Sequence, residues 1–588
     1  HFLVKNFPII VNCNYSTHNI IKMKMQYNFK YLIIPIMILS LFFLYSCDNS
    51  NKVLLSDNGM VSSAHPLASQ VGIDILRNGG NAFDAAVAVH FTLSVVYPNA
   101  GNIGGGGFAV YRLNDGTVGS LDFREKAPAS SLRNMYLDEN NEVYKNKSKL
   151  GHLASGIPGS VDGMVKIHDK FGSIDWKLIL EPSIKLSNDG FQLTKIQAIS
   201  LNGVKKSLLK LNDSKISLIN NNEWKENDLL IQKNLSKTLK RIQNDKRDGF
   251  YSGKTAELLI KEMNAGNGIF TLEDLVNYSS IWRKPIIGNY KNHKIISMGP
   301  PSSGGIALVQ MLNGAEKLNI NNYKHNSKDY IHMLTEIESR VYADRATYLG
   351  DPDFFEVPSK TLISNKYLEN KFNSITINNK TPSSDIKEGK IEINETEETT
   401  HFSIVDKFGN AISITTTING SYGSKVVVDD AGFLLNNEMD DFSIKPGFPN
   451  MFGLTGGEAN AIEGNKRMLS SMTPTIVEKE DELFMVLGTP GGSTIITSVF
   501  QTILNVIDYD MSMQEAVNAK KFHHQWLPDA IIIEENAINN DIKNSLIQMG
   551  HDFKERKFIG RMDCILVNES GKFEGGSDKR GDNIAIGY

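Results

Sequence analysis

The sequence predicts a layered α/β fold, in which helices pack against β-sheets. Residues 82–96 are apolar on nearly every face of a helix, which predicts a buried helix. Residues 401–417 switch to strand-like alternation, broken by Phe408-Gly409-Asn410, a sequence typical of a hairpin turn. Buried helices combined with alternating strands favour stacked layers of both elements around a shared core.

The composition is that of a soluble globular protein. Of the 588 residues, 41% are hydrophobic and 22% are charged, which excludes disordered, collagen-like and polytopic membrane chains. The 62 basic and 66 acidic residues give a net charge of −4, whereas nucleic-acid-binding proteins usually carry a basic excess. The three cysteines are too few for a disulfide framework, and none has the spacing of a metal site.

The N-terminal region predicts an exported protein. Residues 1–22 show no pattern, and we interpret them as upstream sequence outside the native protein. Residues 23–46 combine Lys30 with the apolar run 31–45, which is typical of a secretory signal peptide. The signal ends in Leu44-Tyr45-Ser46-Cys47, which resembles a bacterial lipobox and predicts lipidation of Cys47 in the periplasm. An ordinary signal peptide followed by an incidental cysteine is the alternative.

Local signals place the first two helices. The apolar periodicity of residues 65–76 predicts a helix that ends at Arg77-Asn78-Gly79-Gly80. Asn81 is predicted to cap the buried helix that follows.

Glycine-rich turns precede two further elements. Gly104 to Gly107 lead into a predicted strand at residues 108–111, whereas a phosphate-binding loop would lead into a helix. Close backbone packing is therefore favoured over a nucleotide site. Gly304-Gly305 lead into a helix predicted from Ile306, and the polar residues 374–398 have the composition of a linker.

The linker meets a strand at Glu398-Thr399-Thr400-His401. Alone, a threonine at the start of a strand is unremarkable, because threonine is a good strand former. Other motifs accompany it in a fixed order. They are Asp122-Phe123-Arg124-Glu125, Asp351-Pro352-Asp353-Phe354, Thr417-Ile418-Asn419, residues 436–442, residues 469–475, residues 488–493 and residues 522–529.

With these motifs, the chain resembles the γ-glutamyltransferases, which are N-terminal-nucleophile hydrolases, from about Gly59 to the C-terminus. The resemblance implies a four-layer αββα sandwich that needs no metal or cofactor. It also implies that one precursor cleaves itself between Glu398 and Thr399 into a large chain (47–398) and a small chain (399–588), which remain together as a heterodimer. The implied activity is transfer or hydrolysis of γ-glutamyl groups, from glutathione and related donors, through a γ-glutamyl-threonine intermediate.

The resemblance also assigns catalytic roles. Thr399 is the expected nucleophile, with its own new α-amine as the base, and Thr400 is the rival candidate. Thr417 is expected to hydrogen-bond the nucleophile. The backbone N–H groups of Gly491 and Gly492 are expected to stabilise the oxyanion.

A second set of residues is implied to hold the zwitterionic end of a glutamyl donor. Arg124 is expected to bind the α-carboxylate together with Ser470 and Ser471, because a guanidinium orients a carboxylate as well as attracting it. The expected ligands of the α-ammonium group are Asn419, Glu438 and Asp441.

The chain departs from the family pattern at three places. Lys520-Lys521 stand where the family commonly has arginine, which puts some structural salt bridges in doubt. Met468 replaces a usual proline, and Phe452 replaces a tyrosine on the lid over the pocket. His523 and His524 suggest a metal site, but adjacent strand residues face opposite ways, so a structural role is favoured.

Three alternative functions are weighed against this prediction. Two are relatives on the same scaffold: a poly-γ-glutamate depolymerase and a β-lactam acylase. The lid at residues 446–457 argues against the first, and the intact amino-acid clamp argues against the second. The third is a periplasmic binding protein without chemistry, which the presence of Thr399, Thr417 and both glycines disfavours. The sequence leaves open whether water, an amino acid or a dipeptide is the preferred acceptor.

Overall fold

The computed structural model describes residues 54–386 and 399–588. The predicted upstream segment, the signal peptide, Cys47 and Glu398 lie outside the described residues. Within the described ranges, no helix has both the length and the apolar character needed to cross a bilayer.

The helices of the described residues lie mainly in two groups along the chain, before residue 373 and after residue 494. They are α1 (Pro66–Arg77), α2 (Ala82–Val96), α3 (Ser160–Phe171), α4 (Trp176–Asp189), α5 (Lys195–Leu211), α6 (Lys233–Asp245), α7 (Asp248–Tyr251), α8 (Gly253–Ala265), α9 (Leu272–Asn277), α10 (Gly304–Lys317), α11 (Lys328–Tyr348), α12 (Ser359–Leu362), α13 (Asn365–Phe372), α14 (Ile495–Ile507), α15 (Met513–Asn518) and α16 (Asn540–Gln548). Short 3₁₀ helices include Glu438–Asp441 and Gly492–Thr494.

The strands are spread along the whole described chain. They are β1 (Leu54–Ser56), β2 (Met60–Ser63), β3 (Gly106–Arg112), β4 (Val118–Asp122), β5 (Phe191–Gln192), β6 (Leu229–Leu230), β7 (Ile281–Arg283), β8 (Ile286–Tyr290), β9 (His293–Ser297), β10 (Thr400–Val405), β11 (Ala411–Thr417), β12 (Thr475–Lys479), β13 (Glu482–Gly488), β14 (Phe522–His523), β15 (Ile531–Glu534), β16 (Phe553–Arg556), β17 (Asp563–Val567), β18 (Phe573–Ser577) and β19 (Ile584–Gly587).

Two seven-stranded antiparallel sheets form the centre of the molecule. Sheet I has the strand order β1-β18-β17-β13-β12-β9-β8, and sheet II has the order β19-β2-β10-β11-β3-β4-β7. One hydrophobic cluster joins the two sheets through residues such as Val110 of sheet II and Val486 of sheet I. Neighbouring residues, such as Ala109 and Met485, point to the opposite faces, because side chains alternate along a strand.

Helices cover the outer face of each sheet. Helices α1 to α9 pack with sheet II in one large cluster, which includes Phe91 and Phe402. Helices α10, α11 and α14 pack with sheet I in a second cluster, which includes Leu308 and Val477. The layers therefore follow the order helix, sheet, sheet, helix, which confirms the predicted αββα sandwich.

Several local predictions are confirmed. Helix α1 ends at Arg77, and every residue of α2 is buried. Asn81 forms a capping box with Asp84. The predicted hairpin is β10–β11, with its turn held by the Asp406 carboxylate, which accepts from the N–H groups of Phe408 and Asn410.

The glycine run before β3 is a place of close backbone approach, as predicted. A Cβ atom on Gly105 would lie 2.0 Å from the Thr417 carbonyl oxygen, and one on Gly104 would lie 2.1 Å from that of Leu434. A side chain on Gly105 would therefore displace the end of β11, which carries Thr417. The helix predicted from Ile306 begins two residues earlier, at Gly304. Residues 374–386, the described part of the predicted linker, contain neither helix nor strand.

Candidate active site

One small pocket brings together most of the side chains that the sequence predicts for the site. Its lining comprises Arg124, Arg345, Thr399, Thr417, Asn419, Glu438, Asp441, Phe452, Leu454, Ser470, Ser471, Met472, Gly492 and Ile495. Gly491 precedes Gly492 but is not part of this lining, and Glu398 lies outside the described residues.

Thr399 is held at the end of a central strand. It directly precedes β10, which pairs with β2 on one side and β11 on the other, and its side chain is almost fully buried. Thr400 pairs with Thr416, so the next positions, Thr399 and Thr417, lie together at the end of the hairpin. The Thr417 hydroxyl accepts from the Asn419 N–H at 2.7 Å, which fixes its rotamer beside Thr399.

The turn after β11 places Asn419 in the pocket. Asn419 has a φ of 69°, in the left-handed region that asparagine tolerates better than most residues. Its Nδ2 donates to the Asn437 carbonyl at 2.9 Å, so the amide is fixed against the segment that carries the acidic residues.

The acidic residues of the site pair with Arg124. Glu438 and Asp441 lie on one 3₁₀ turn, and the Arg124 guanidinium donates Nη1–H to Glu438 and Nη2–H to Asp441, the latter at 2.6 Å. Two further donors go to the carbonyl oxygens of Met468 and Leu469, each at 3.3 Å. The predicted ligands of opposite charge therefore form one buried network, with nearly all donors of Arg124 engaged.

The network holds more carboxylates than cations. Glu125 lies 3.6 Å from Arg124, and neither of its carboxyl oxygens has a hydrogen-bond partner among the described residues. Burial raises the pKa of Glu125 to about 8 and raises that of Glu438 well above its usual range. Burial alone would lower the pKa of Arg124, but Glu438, Asp441 and Glu125 outweigh this effect and raise it. At neutral pH the cluster therefore retains a proton on a carboxyl group.

The two serines sit on a segment fixed from beneath by the glycine-rich turn before α10. The Ser470 carbonyl accepts from the N–H and the hydroxyl of Ser303, at 2.8 and 2.7 Å. The Ser470 hydroxyl accepts from the Met472 N–H at 3.1 Å. The Ser471 hydroxyl accepts from Arg345 Nη2 at 3.1 Å. Both serines line the pocket, and hydrogen bonds fix both hydroxyls there.

Gly491 and Gly492 form a tight turn that leads into α14. Their φ values are 139° and 51°, which side chains rarely allow, and a Cβ atom on Gly492 would lie 2.5 Å from the Phe452 ring. The Gly491 carbonyl accepts from both the N–H and the hydroxyl of Thr494. Within the described chain, neither glycine N–H donates to a protein acceptor. The turn therefore leaves two backbone N–H groups without an acceptor among the described residues, and Gly492 lines the pocket together with Thr399.

Residues 68–588 match the family model described as Gamma-glutamyltranspeptidase. The chain belongs to the γ-glutamyltranspeptidase family. It is 43% identical over 537 residues to the glutathione hydrolase proenzyme of Escherichia coli K12, with 90% of this chain and 92% of that protein covered. It is 42% identical to the glutathione hydrolase proenzyme of Pseudomonas sp. strain A14, with coverage of 91% and 95%.

Solved structures agree with this assignment. The crystal structure of Helicobacter pylori γ-glutamyltranspeptidase is 43% identical, with a TM-score of 0.55, and covers 58% of this chain and 97% of its own. The cephalosporin acylase of Bacillus halodurans matches 92% of this chain and 98% of its own with a TM-score of 0.79, but at 23% identity it shows the fold alone. As a member of this family, the chain is a self-processing enzyme of the N-terminal-nucleophile fold.

The acidic motifs around Asp122 and Asp353 support the backbone that carries Arg124. Asp122 accepts from the Arg124 N–H and pairs with Arg283 at 2.7 Å. Arg283 in turn pairs with Asp353 at 2.7 Å. The motifs around residues 122 and 353 are therefore joined through one arginine, which anchors the strand end that carries Arg124.

The histidine pair makes structural contacts. His523 is buried and its ring nitrogens contact the side chains of Thr497 and Gln525, each at 2.9 Å. The His524 ring contacts Asp529 at 3.3 Å. Among the described residues, no group of three or more His, Cys, Asp or Glu side chains is placed to hold a metal ion.

The departures from the family pattern are accommodated. Lys520 pairs with Glu534 at 3.3 Å, while the buried Lys521 donates to the carbonyls of Val517 and Ala519. Burial lowers the pKa of Lys521 to about 8. Met468 is fully buried, and its carbonyl accepts from Arg124.

Sequence reasoning missed one charged residue of the pocket, Arg345. It lies in the last turn of α11, six residues before the recognised motif at Asp351. Nothing in its local pattern distinguishes it from the surface charges that usually end a helix, so only the folded chain reveals its position.

Proposed function

We propose that this protein is a γ-glutamyltransferase with glutathione hydrolase activity, whose nucleophile is Thr399. One observation carries the proposal: Thr399 shares its pocket with two buried arginines, two carboxylates and two serine hydroxyls. This set complements the free α-carboxylate and α-ammonium groups at the end of a γ-glutamyl donor. Glutathione and related γ-glutamyl amides are the proposed donors.

Maturation would convert the precursor into two chains. The Thr399 hydroxyl attacks the Glu398 carbonyl, the peptide bond gives way to an ester, and water then cleaves the ester. The large chain (47–398) ends in the Glu398 carboxylate, and the small chain (399–588) begins with the Thr399 α-amine. A terminal α-amine titrates near pH 8 and can take the hydroxyl proton at physiological pH.

During turnover, Thr399 serves both as the nucleophile, through its hydroxyl, and as the base, through its α-amine. The Thr399 Oγ attacks the γ-carbonyl of the donor while its α-amine accepts the hydroxyl proton. The N–H groups of Gly491 and Gly492 stabilise the oxyanion, and the α-ammonium returns the proton to the departing amine. The resulting γ-glutamyl-threonine ester is then attacked by water, or by the amino group of an amino acid or dipeptide.

The acidic turn favours this function over an acylase for glutaryl-type side chains. Such a substrate carries a carboxylate but no ammonium group, so it would leave Glu438 and Asp441 without a cationic partner from the ligand. A direct comparison uses γ-glutamyl-p-nitroanilide and glutaryl-p-nitroanilide as donors, with and without glycylglycine. Preference for the γ-glutamyl donor supports the transferase, preference for the glutaryl donor supports the acylase, and the effect of glycylglycine identifies the acceptor.

The maturation step gives the first prediction. Thr399→Ala should leave the precursor uncut and inactive, because it removes the hydroxyl that starts the acyl shift. Thr400→Ala is the matched control, since the Thr400 hydroxyl is buried without a partner among the described residues. That variant should still cleave, and N-terminal sequencing of its small chain should begin with Thr399. Cleavage in Thr399→Ala, or loss of cleavage confined to Thr400→Ala, would assign the nucleophile to Thr400.

We also propose export to the periplasm with a lipid anchor at Cys47, on the signal-peptide pattern and the lipobox-like ending. Two or more acyl chains anchor a protein stably, whereas one chain is marginal. Cell fractionation of the wild type and of Cys47→Ser tests this. A wild type recovered in the soluble periplasmic fraction without detergent would reject the anchor and retain export.

A further inference from the structure

The exposed side of helix α5 combines lysines with bulky apolar side chains. We call it the α5 face, and its exposed members are Lys195, Ile196, Ile199, Lys206, Leu209 and Lys210. Their spacing of one to two helical turns places them on one side of the helix. The other side, which includes Ala198, Leu201 and Leu208, is buried in the protein.

The α5 face is cationic in a protein of net negative charge. Helix α5 contains no aspartate or glutamate, whereas the whole chain has a net charge of −4. None of the described residues places a carboxylate at ion-pair distance from Lys195, Lys206 or Lys210. Elsewhere in the same helical layer such pairs do form, as between Lys246 and Asp169 at 2.5 Å. The charges of the α5 face therefore remain available to an anionic partner.

The apolar part of this surface continues from α5 onto the neighbouring two-stranded sheet. Ile199 is 63% exposed, and Leu229 of β6, the strand that pairs with β5 just before α5, is 51% exposed. Leu229 and Ile231 lie side by side, since a Cβ atom on Gly190 would be 2.9 Å from one and 2.7 Å from the other. Exposed aliphatic side chains that cluster in this way indicate an interaction surface.

The mixture of lysines and aliphatic side chains favours an anionic lipid surface as the partner. Ammonium groups pair with lipid phosphates, while aliphatic side chains enter the boundary between headgroups and acyl chains. A nucleic acid supplies phosphates but no apolar layer for the isoleucines. Two copies of this chain that met through the α5 face would bring like charges together, which is unfavourable.

The start of α5 and the start of the described chain both contact the C-terminal segment. The hydroxyl of Thr194, which caps α5, donates to Asp582 at 2.6 Å. A Cβ atom on Gly575 would lie 2.6 Å from Ala585 Cβ and 3.3 Å from Leu54 Cδ2, so Leu54 and Ala585 are adjacent. The proposed lipidation site precedes Leu54 by seven residues, which span at most about 25 Å. An anchor there would hold the membrane within reach of α5.

We propose that the α5 face docks the protein onto an anionic lipid surface. The helix lies along the headgroups, with its lysines against the phosphates and its isoleucines directed into the lipid. This inference goes beyond the proposed enzymatic function and does not depend on lipidation of Cys47. Where the anchor is present, the two contacts reinforce each other, because they belong to one chain.

Vesicle binding in the absence of the anchor tests the proposal. The chain from Asp48 to Tyr588 retains every described element, and its self-cleavage into two chains confirms that it has folded. It is mixed with vesicles of phosphatidylcholine alone, or of phosphatidylcholine and phosphatidylglycerol in equal parts, and the bound fraction is measured by flotation. Binding should require phosphatidylglycerol and should weaken as salt is added, because salt screens the lysines.

A double variant of the α5 face should lose this binding. In Ile199→Gln/Lys206→Glu the partition coefficient should fall roughly 30-fold or more, because one change reverses a charge and the other removes an inserted aliphatic side chain. Self-cleavage and release of p-nitroaniline should stay at the parent level, since neither residue lines the pocket. If this variant fails to cleave itself, Lys195→Glu/Lys210→Glu takes its place.

Ile547→Gln/Lys366→Glu is the matched control. It makes the same two changes at exposed residues of α16 and α13, helices that pack with sheet I in the other outer layer. This control should bind vesicles as well as the parent chain does.

Three outcomes would overturn the proposal. One is a parent chain that does not bind phosphatidylglycerol vesicles at low salt, and another is equal binding by the α5 variant and the control. The third is a concentration-dependent dimer that only the α5 variant abolishes, which would make a second copy the partner. A chain that binds vesicles but does not hydrolyse the γ-glutamyl donor would overturn the proposed function and leave this inference intact.

Discussion

At the scale of single residues, Glu125 stores a proton beside the site. Its carboxyl group is fully buried, faces Arg124 at 3.6 Å and accepts no hydrogen bond from the described residues. Burial raises its pKa from 4.5 to about 8, with Arg124 opposing this shift and Asp441 and Asp122 adding to it. Because the folded state binds this proton more tightly than the unfolded chain, the stabilisation is complete below about pH 4.5 and is lost as the pH rises through 8.

The raised pKa of Glu125 predicts that the folded protein loses stability as the pH rises. The melting temperature of the wild type should fall between pH 5 and pH 8.5, and Glu125→Gln should flatten this fall, because glutamine resembles the protonated acid. Glu142→Gln, at a side chain that is 73% exposed, is the control and should keep the wild-type slope. Differential scanning calorimetry across this range measures the slopes. Equal slopes in all three proteins would mean that Glu125 is already ionised at pH 5.

Arg124 marks the limit of what the sequence could predict at this scale. The motif Asp122-Phe123-Arg124-Glu125, through its resemblance to the family, predicts Arg124 as a ligand of the donor. Its actual partners, Glu438 and Asp441, lie 314 and 317 positions away in the chain. Such a pairing depends on how two sheets bring distant turns together, and no local pattern encodes it. Arg345 escaped notice for the same reason.

At the scale of elements, the segment at residues 446–457, which the family resemblance identifies as the expected lid, is hydrogen-bonded to the acidic turn. Asn450 Nδ2 donates to Asp441 at 2.8 Å, while Asn450 Oδ1 accepts from the N–H groups of Phe452 and Leu454. The Met451 N–H donates to Asp440 at 2.6 Å. Phe452 and Leu454 line the pocket from this segment, so Asn450 joins the pocket-lining part of the segment to Asp441.

Asn450→Ala should therefore weaken donor binding without stopping maturation. Loss of a hydrogen bond to a charged group costs about 1.5–3 kcal/mol, or roughly 10- to 150-fold in kcat/KM for γ-glutamyl-p-nitroanilide. Phe448→Ala, at a side chain of the same lid that is 38% exposed, should change it less than about threefold. Steady-state kinetics on fully cleaved protein measures both. An Asn450→Ala variant with wild-type kinetics would show that the lid does not depend on this contact.

Helices and strands with a strong local sequence pattern were predictable, whereas the pairing of distant strands was not. The buried helix α2 and the β10–β11 hairpin followed from periodicity, capping and turn residues. The strand β2, only four residues long, lies between β10 and β19 in sheet II, and its pairing joins residues near 60 with residues near 404 and 586. The packed layers determine which strands pair when the strands lie hundreds of residues apart in the sequence. The pairing of β2 could therefore be expected only from the family fold.

At the scale of the whole molecule, the two proposed chains are interleaved. In sheet II, β10, β11 and β19 come from the small chain, and β2, β3, β4 and β7 come from the large chain. Strands of the two chains are hydrogen-bonded neighbours at three places in this sheet: β2 lies between β19 and β10, and β3 lies next to β11. In sheet I, β9 of the large chain pairs with β12 of the small chain, and β1 pairs with β18.

The large and small chains should consequently remain associated after cleavage before Thr399. Separating the chains would break backbone ladders in both sheets and expose the apolar layer between them, so it amounts to unfolding. Native gel filtration of the cleaved enzyme should give one peak that contains both chains, at the elution volume of uncut Thr399→Ala. The chains should separate only in denaturant, in a single cooperative transition. A small chain that elutes alone from native buffer would contradict the interleaved sheets.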